Sequence, residues 1–107
     1  MGNSLTFTIR NTKRLDFLGA DILKNELEKA INAQVNNYLI DLHTIHFIDS
    51  YSFNVLLQMN EFLNQRGKSL YLINVSECAK ELFDLTNLSH VLNIKMVDPA
   101  MEEIPCQ

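Results

Sequence analysis

The side chains best able to do chemistry crowd into one short stretch, with Asp41, His43, His46, Asp49, Ser50, Tyr51 and Ser52 within a dozen residues of one another. His43, His46 and Asp49 are metal-ligand types at close spacing, but a closed site usually takes four ligands and the fragment from His43 to Asp49 supplies no fourth. Histidines in such a loop are more often solvated or capping. Asp41 and Asp49 could form a carboxylate pair or present a phosphoacceptor at a strand end. A receiver-like site of that kind also needs an acidic cluster after the first strand and a lysine after a late one, and the chain has neither. The two aspartates are better read as a strand-end carboxylate and a helix cap.

The hydroxyls of Ser50, Tyr51 and Ser52 remain. Asp49 or Ser50 can accept hydrogen bonds from the unpaired N–H groups of a helix first turn, and that alone accounts for the composition. A second chemistry is phosphorylation. A phosphoserine adds about −1.5 to −2 charge, which a helix N-terminus tolerates, and it changes a partner surface without unfolding the domain. On chemistry alone the cap is favoured over the switch.

Catalysis finds little else to use. Three glycines, at positions 2, 19 and 67, cannot build a phosphate-cradling loop, and no nucleophile elbow is present. No catalytic residue, cofactor or metal is implied. Nine Lys and Arg against thirteen Asp and Glu give a net charge of −4, which argues against nucleic acid as a partner. The longest apolar runs fall far short of the roughly 20 residues of a bilayer span, so no membrane insertion is expected. With no basic-then-apolar opening segment the chain is placed in the cytoplasm. Residues 1–6 match the myristoylation pattern, but a six-residue match is weak evidence for a lipid anchor. Cys78 and Cys106 lack Cys-x-x-Cys spacing and read as free thiols.

The elements that must position the hydroxyls are legible in the periodicity. Residues 38–42 form a short apolar strand, and from Ser52 the spacing turns helical, with Val55, Leu56, Met59, Phe62 and Leu63 inward and Asn54, Gln58, Glu61 and Gln65 outward. Ahead of it, Leu5, Phe7 and Ile9 alternate with polar residues as in a half-buried strand. Residues 14–18 predict a second strand pairing with the first as a hairpin, ended by Gly19. A helix then begins at Asp21, or at Ala20, with Ile22, Leu23, Leu27, Ala30, Ile31 and Val35 on one side. Lys24, Glu26, Glu28 and Lys29 are its solvated face.

Gly67 after Arg66 closes the central helix, residues 69–75 form a strand, and Ser76 caps a third helix ending near Asn87. Residues 91–97 add a last strand. The expected organisation is one domain over residues 1–97 and a tail over 98–107, with no internal sequence repeat. The fold class is α/β: a single small sheet with a largely parallel core, an N-terminal hairpin and three helices mainly on one face.

An ordered set of segments resembles the STAS domain, the fold of anti-sigma factor antagonists, stressosome proteins and sulfate-transporter tails. The segments are Leu39-Ile40-Asp41-Leu42, Phe47-Ile48-Asp49-Ser50, Val55-Leu56-Leu57, Arg66-Gly67, Leu70-Tyr71-Leu72-Ile73-Asn74-Val75 and Leu82-Phe83-Asp84-Leu85-Thr86-Asn87-Leu88. The resemblance implies a non-enzymatic module that binds a protein, such as a kinase-like anti-sigma factor, and is released by serine phosphorylation at this helix start. The family loop usually reads Asp-Ser-Ser-Gly with the second serine modified; here those last two positions are Tyr51 and Ser52. Stressosome members carry Asp-Ser-aromatic with the first serine modified, a register that points to Ser50. The implied phosphorylation candidates are Ser50 and Ser52, and the implied partner surface is Asp49, Ser50, Tyr51, Ser52 and Asn54. A constitutive STAS subunit of a transporter or other assembly, without phosphoregulation, is the alternative. Oligomeric state is left open by the sequence.

Overall fold

The computed structural model describes residues 4–9 and 12–96. Within them the order is β1 (Ser4–Thr8), β2 (Arg14–Leu15), α1 (Phe17–Ala30), β3 (Asn37–Asp41), β4 (Phe47–Ile48), α2 (Ser50–Asn64), β5 (Ser69–Val75), α3 (Glu77–Leu85) and β6 (Asn93–Met96), with a 3-10 turn at Leu88–His90. Four strands make one parallel sheet in the order β1-β3-β5-β6, and β2 pairs with β4 in a small parallel ladder of its own.

The pleat explains the layering. Tyr38, Ile40, Leu70 and Leu72 project to one face and are fully buried there with Leu23 and Leu27 of α1 and Leu56, Met59 and Leu63 of α2. Each such side chain contributes about 1.5–3 kcal/mol by leaving water. Leu39, Tyr71 and Ile73 point to the other face and stay half-buried. α3 joins the helical layer through Phe83, whose ring meets Phe53 of α2 edge-on at 5.2 Å. The parallel α/β architecture with helices on one sheet face is therefore as the periodicity implied.

The expected N-terminal hairpin is corrected. β1 lies parallel to β3 and β2 parallel to β4, and both pairs keep a constant offset of 33 residues, Ser4 beside Asn37 and Arg14 beside Phe47. A hairpin would need a tight turn, and residues 9–13 hold neither glycine nor an Asn-Gly or Asp-Gly pair to reverse the chain. The chain instead continues forward, and Thr44 Oγ1 donates to the Ile9 carbonyl at 3.2 Å to bridge the two interrupted strands. A structural repeat results: strand, break, two-residue strand, capping aspartate, helix, run through twice. At that offset few positions share a residue, among them Asp16 with Asp49 and Leu23 with Leu56, so sequence inspection finds no repeat.

The start of α1 is also corrected, from residue 20 or 21 to Phe17. Asp16 is the cap, accepting from Gly19 N at 3.1 Å, and Phe17 and Leu18 are exposed, so their apolar character gave no inward pattern. Gly19 lies inside the first turn and does not end a strand. The helix also stops at Ala30, short of Val35. Asn32 Oδ1 accepts from Gln34 N in a local turn, and the buried Lys68 ammonium donates to the Asn32 and Val35 carbonyls at 2.9 and 2.7 Å. Gly67 does close α2, at φ 72°. The last strand spans Asn93–Met96; Val97 and the tail lie outside the described residues. Cys78 is disulfide-bonded and not a free thiol, a pairing that its spacing could not signal; Cys106 lies outside the described residues.

Gly19 gives a test with a definite sign. A Cβ there would sit 3.5 Å from Leu15 Cδ1, ordinary contact, on helical backbone. Gly19→Ala should therefore raise the unfolding free energy by about 0.5–1 kcal/mol in urea titrations. A destabilised variant would contradict this helix start.

Candidate partner-binding site

Because β2 and β4 run side by side, they deliver two helix N-termini side by side. Each strand is followed by an aspartate whose carboxylate caps its helix: Asp16 Oδ1 accepts from Gly19 N, and Asp49 Oδ1 from Ser52 N at 2.8 Å. The positive ends of two helix dipoles thus lie together. The Leu15 carbonyl fastens them, accepting from Asp49 N at 3.1 Å and from Ser52 Oγ at 3.0 Å.

Ionisation of Asp49 follows from these contacts. Partial burial works against the charge, but hydrogen bonds from the Ser52 hydroxyl, Ser52 N–H and Phe17 N–H, with the nearby Arg14 charge, outweigh it. The carboxyl is held below its ordinary 3.8. Ser52 has one hydroxyl proton, so Asp49 and the Leu15 carbonyl receive it one at a time.

The two serines of the loop part company here. Ser50 is the first residue of α2 and is exposed, whereas Ser52 is 0% exposed with its hydroxyl turned to the β2 backbone. Tyr51 lies outward, edge-on to Phe17 with centroids 6.3 Å apart, and its hydroxyl donates to Asp21 Oδ1 at 2.7 Å. That hydrogen bond, with some desolvation and the Asp21 charge, pushes the phenol above its ordinary 10.0. Asn54 is exposed one turn after Ser50. The loop histidine His43 is engaged with Asp41, Nδ1 to Oδ1 at 3.2 Å.

Sequence reasoning missed the neighbour that α1 contributes. Phe17, Leu18 and Ile22 on α1, Tyr51 on α2 and Phe47 on β4 are each between 42% and 59% exposed, unusual for side chains of this size. The Arg14 guanidinium lies 4.7 Å from the centre of the Phe47 ring. Asp16 followed three positions later by the glycine it caps was the available signal for this helix start. Large apolar side chains exposed together at one end of a domain commonly mark a contact surface. Two capped helix starts, one apolar and one hydroxyl-bearing, therefore share one end of the molecule.

The family model for the STAS domain matches residues 2–98. The chain belongs to the STAS family. An anti-sigma F factor antagonist of Paenibacillus polymyxa is 24% identical over 87 residues, spanning 80% of this chain and 74% of that protein. Among solved structures, a sulfate transporter family protein of Wolinella succinogenes superposes with TM-score 0.74 at 20% identity, covering 86% of this chain and 75% of its own. A Thermotoga maritima protein described as a candidate anti-sigma factor antagonist gives TM-score 0.71 at 24% identity, covering 92% and 86%. At these identities the structural likeness speaks to the fold of the STAS domain. No helix among the described residues is long and apolar enough to cross a membrane.

The lowered Asp49 carboxyl ties stability to pH with a fixed sign. Its contribution is complete above about 3.8 and is lost as pH falls through the lower folded value. Asn is as good an N-cap as Asp, so Asp49→Asn removes the charge and keeps the cap. Urea midpoints should favour the wild type at pH 7 and converge with the variant as pH falls below the ordinary 3.8. Parallel curves would show that Asp49 gains nothing from its ionised partners.

Proposed function

We propose that this STAS domain is a non-enzymatic, protein-binding module of a phosphorylation-controlled partner switch, resembling an anti-sigma factor antagonist and acting in the cytoplasm. The observation that carries the proposal is the exposed Ser50 at a capped helix start, set beside the apolar cluster of Phe17, Leu18, Ile22 and Tyr51. The partner is a kinase-like anti-sigma factor. It docks on Asp49, Ser50, Tyr51 and Asn54 and on the apolar start of α1, with Ser52 holding the loop from below.

The switch follows from charge. The Ser50 hydroxyl attacks the γ-phosphorus of ATP carried by the partner, its proton passes to a base on that kinase, and ADP leaves. The phosphoseryl group adds about −1.5 to −2 charge beside Asp49, which is already ionised. The two helix N-termini offset that repulsion within the domain, so the fold survives. A partner that had buried the apolar cluster would then have to desolvate the phosphate, and release follows. Ser52 is the weaker candidate, since a kinase reaches its hydroxyl only by opening the bond to Leu15.

The anti-sigma F factor antagonist relative supports this reading. The likeness to a sulfate transporter family protein supports a second, in which the domain is a constitutive subunit of a transporter or other assembly. Incubation with a kinase-like anti-sigma factor and ATP, followed by peptide mapping, separates them. Phosphate on Ser50, binding retained by Ser50→Ala, and affinity lowered at least tenfold by Ser50→Asp are the expected results. No phosphate on Ser50 or Ser52 and unchanged binding by Ser50→Asp would leave the constitutive reading.

A further inference from the structure

The sheet has two edges, and they differ in how they are protected. At β6 a lysine, Lys95, occupies the middle of the strand, and the register with β5 shifts between Leu72 and Val75. A central charge and an irregular ladder both discourage another strand from adding there. β1 has neither device. Its five residues, Ser-Leu-Thr-Phe-Thr, hold no charge and no proline, and its register with β3 is unbroken from Ser4 to Thr8. Among the described residues nothing pairs with its outer side.

The direction of the free backbone groups is fixed by the ladder. Ile9 N donates to the Asp41 carbonyl, so Ile9 turns its peptide groups toward β3. Peptide groups alternate along a strand, so Leu5 and Phe7 also face β3. Ser4, Thr6 and Thr8 therefore direct both N–H and C=O outward. These three residues form a regular, unpaired hydrogen-bonding row.

We propose that the β1 edge binds a second copy of this chain, by antiparallel β1–β1 pairing about a two-fold axis through Thr6, to make a continuous eight-stranded sheet. The strand is self-complementary under that operation. Thr6 meets Thr6 of the second copy and Ser4 meets Thr8 of the second copy, each as a hydrogen-bonded pair using the outward groups. Leu5 meets Phe7 of the second copy on the helical face, where both are only partly buried in the single chain. Apolar groups face apolar groups and hydroxyls face hydroxyls, with no charge opposed, so a like copy is the natural partner. A different protein would need no such internal symmetry in β1.

The proposal does not depend on the partner switch, because it is tested on the purified chain alone. Sedimentation equilibrium should give about twice the 12.3 kDa chain mass. Thr6→Pro removes an outward N–H that β3 does not use, and edge strands tolerate proline on that side. It should give a single-chain mass with a cooperative melt, and so should Thr6→Lys. Amide exchange on the wild type adds a measurement that needs no variant: Ser4, Thr6 and Thr8 should slow as concentration rises. A single-chain mass for the wild type up to its solubility limit, a dimer persisting in folded Thr6→Lys, or fast exchange of those amides at high concentration would each overturn it. Should Thr6→Pro fail to fold, Thr6→Lys and the exchange data decide.

Discussion

One backbone carbonyl, that of Leu15, ties together the two helix starts at the candidate partner-binding end of this molecule. It accepts from Asp49 N and from Ser52 Oγ, and so joins the last residue of β2 to the cap and first turn of α2. The small β2–β4 ladder has only two residues per strand and could not stand alone. It persists because it continues the β1–β3 register past a break and because each of its strands runs straight into a buried, capped helix. That carbonyl's two bonds act together with the Phe17 N–H bond to Asp49 and the Tyr51 hydroxyl bond to Asp21 in holding the two helix starts side by side.

The constant offset gives the arrangement an internal logic. Two like units lie side by side, so corresponding positions of the two helices become neighbours, and what differs between them becomes the chemistry of the surface. Phe17 corresponds to Ser50, Leu18 to Tyr51 and Gly19 to Ser52. The first unit thus offers exposed apolar side chains and the second offers hydroxyls. Tyr51 belongs to both, with its ring against Phe17 and its hydroxyl on Asp21. Neither unit alone carries a mixed apolar and hydroxyl surface.

Features that rest on a residue's own neighbourhood were legible in the sequence, and features that rest on distant pairing were not. The buried alternation of β3 and β5, the inward stripe of α2, the caps at Asp49 and Ser76 and the left-handed Gly67 all follow from local chemistry. The partner of β1 did not, because closeness in sequence favours a hairpin whenever the turn chemistry is ignored. α1 began earlier than its apolar period, since Phe17 and Leu18 face solvent and outward apolar side chains look, by periodicity, like no helix at all. β4 was too short to show any period. The same outward apolar residues that hid the helix start are the ones that complete the candidate site.

The departures of the loop from the commoner STAS pattern then acquire a physical sense. Ser52 stands where that pattern has glycine, and its hydroxyl is spent inward on Leu15, giving a tie that glycine could not make. Tyr51 stands where the modified serine would be and is bound to Asp21, so that position contributes contact area and anchorage to α1. What remains outward, unbonded to either unit and at the helix start, is the side chain of Ser50. Because the loop beneath it is pinned at Asp49 and Ser52, added charge at Ser50 cannot be relieved by a local rearrangement of the backbone. In the proposed switch that charge is met by the two helix dipoles on one side and by the protein facing the apolar cluster on the other, so a loop pinned in this way passes the change outward.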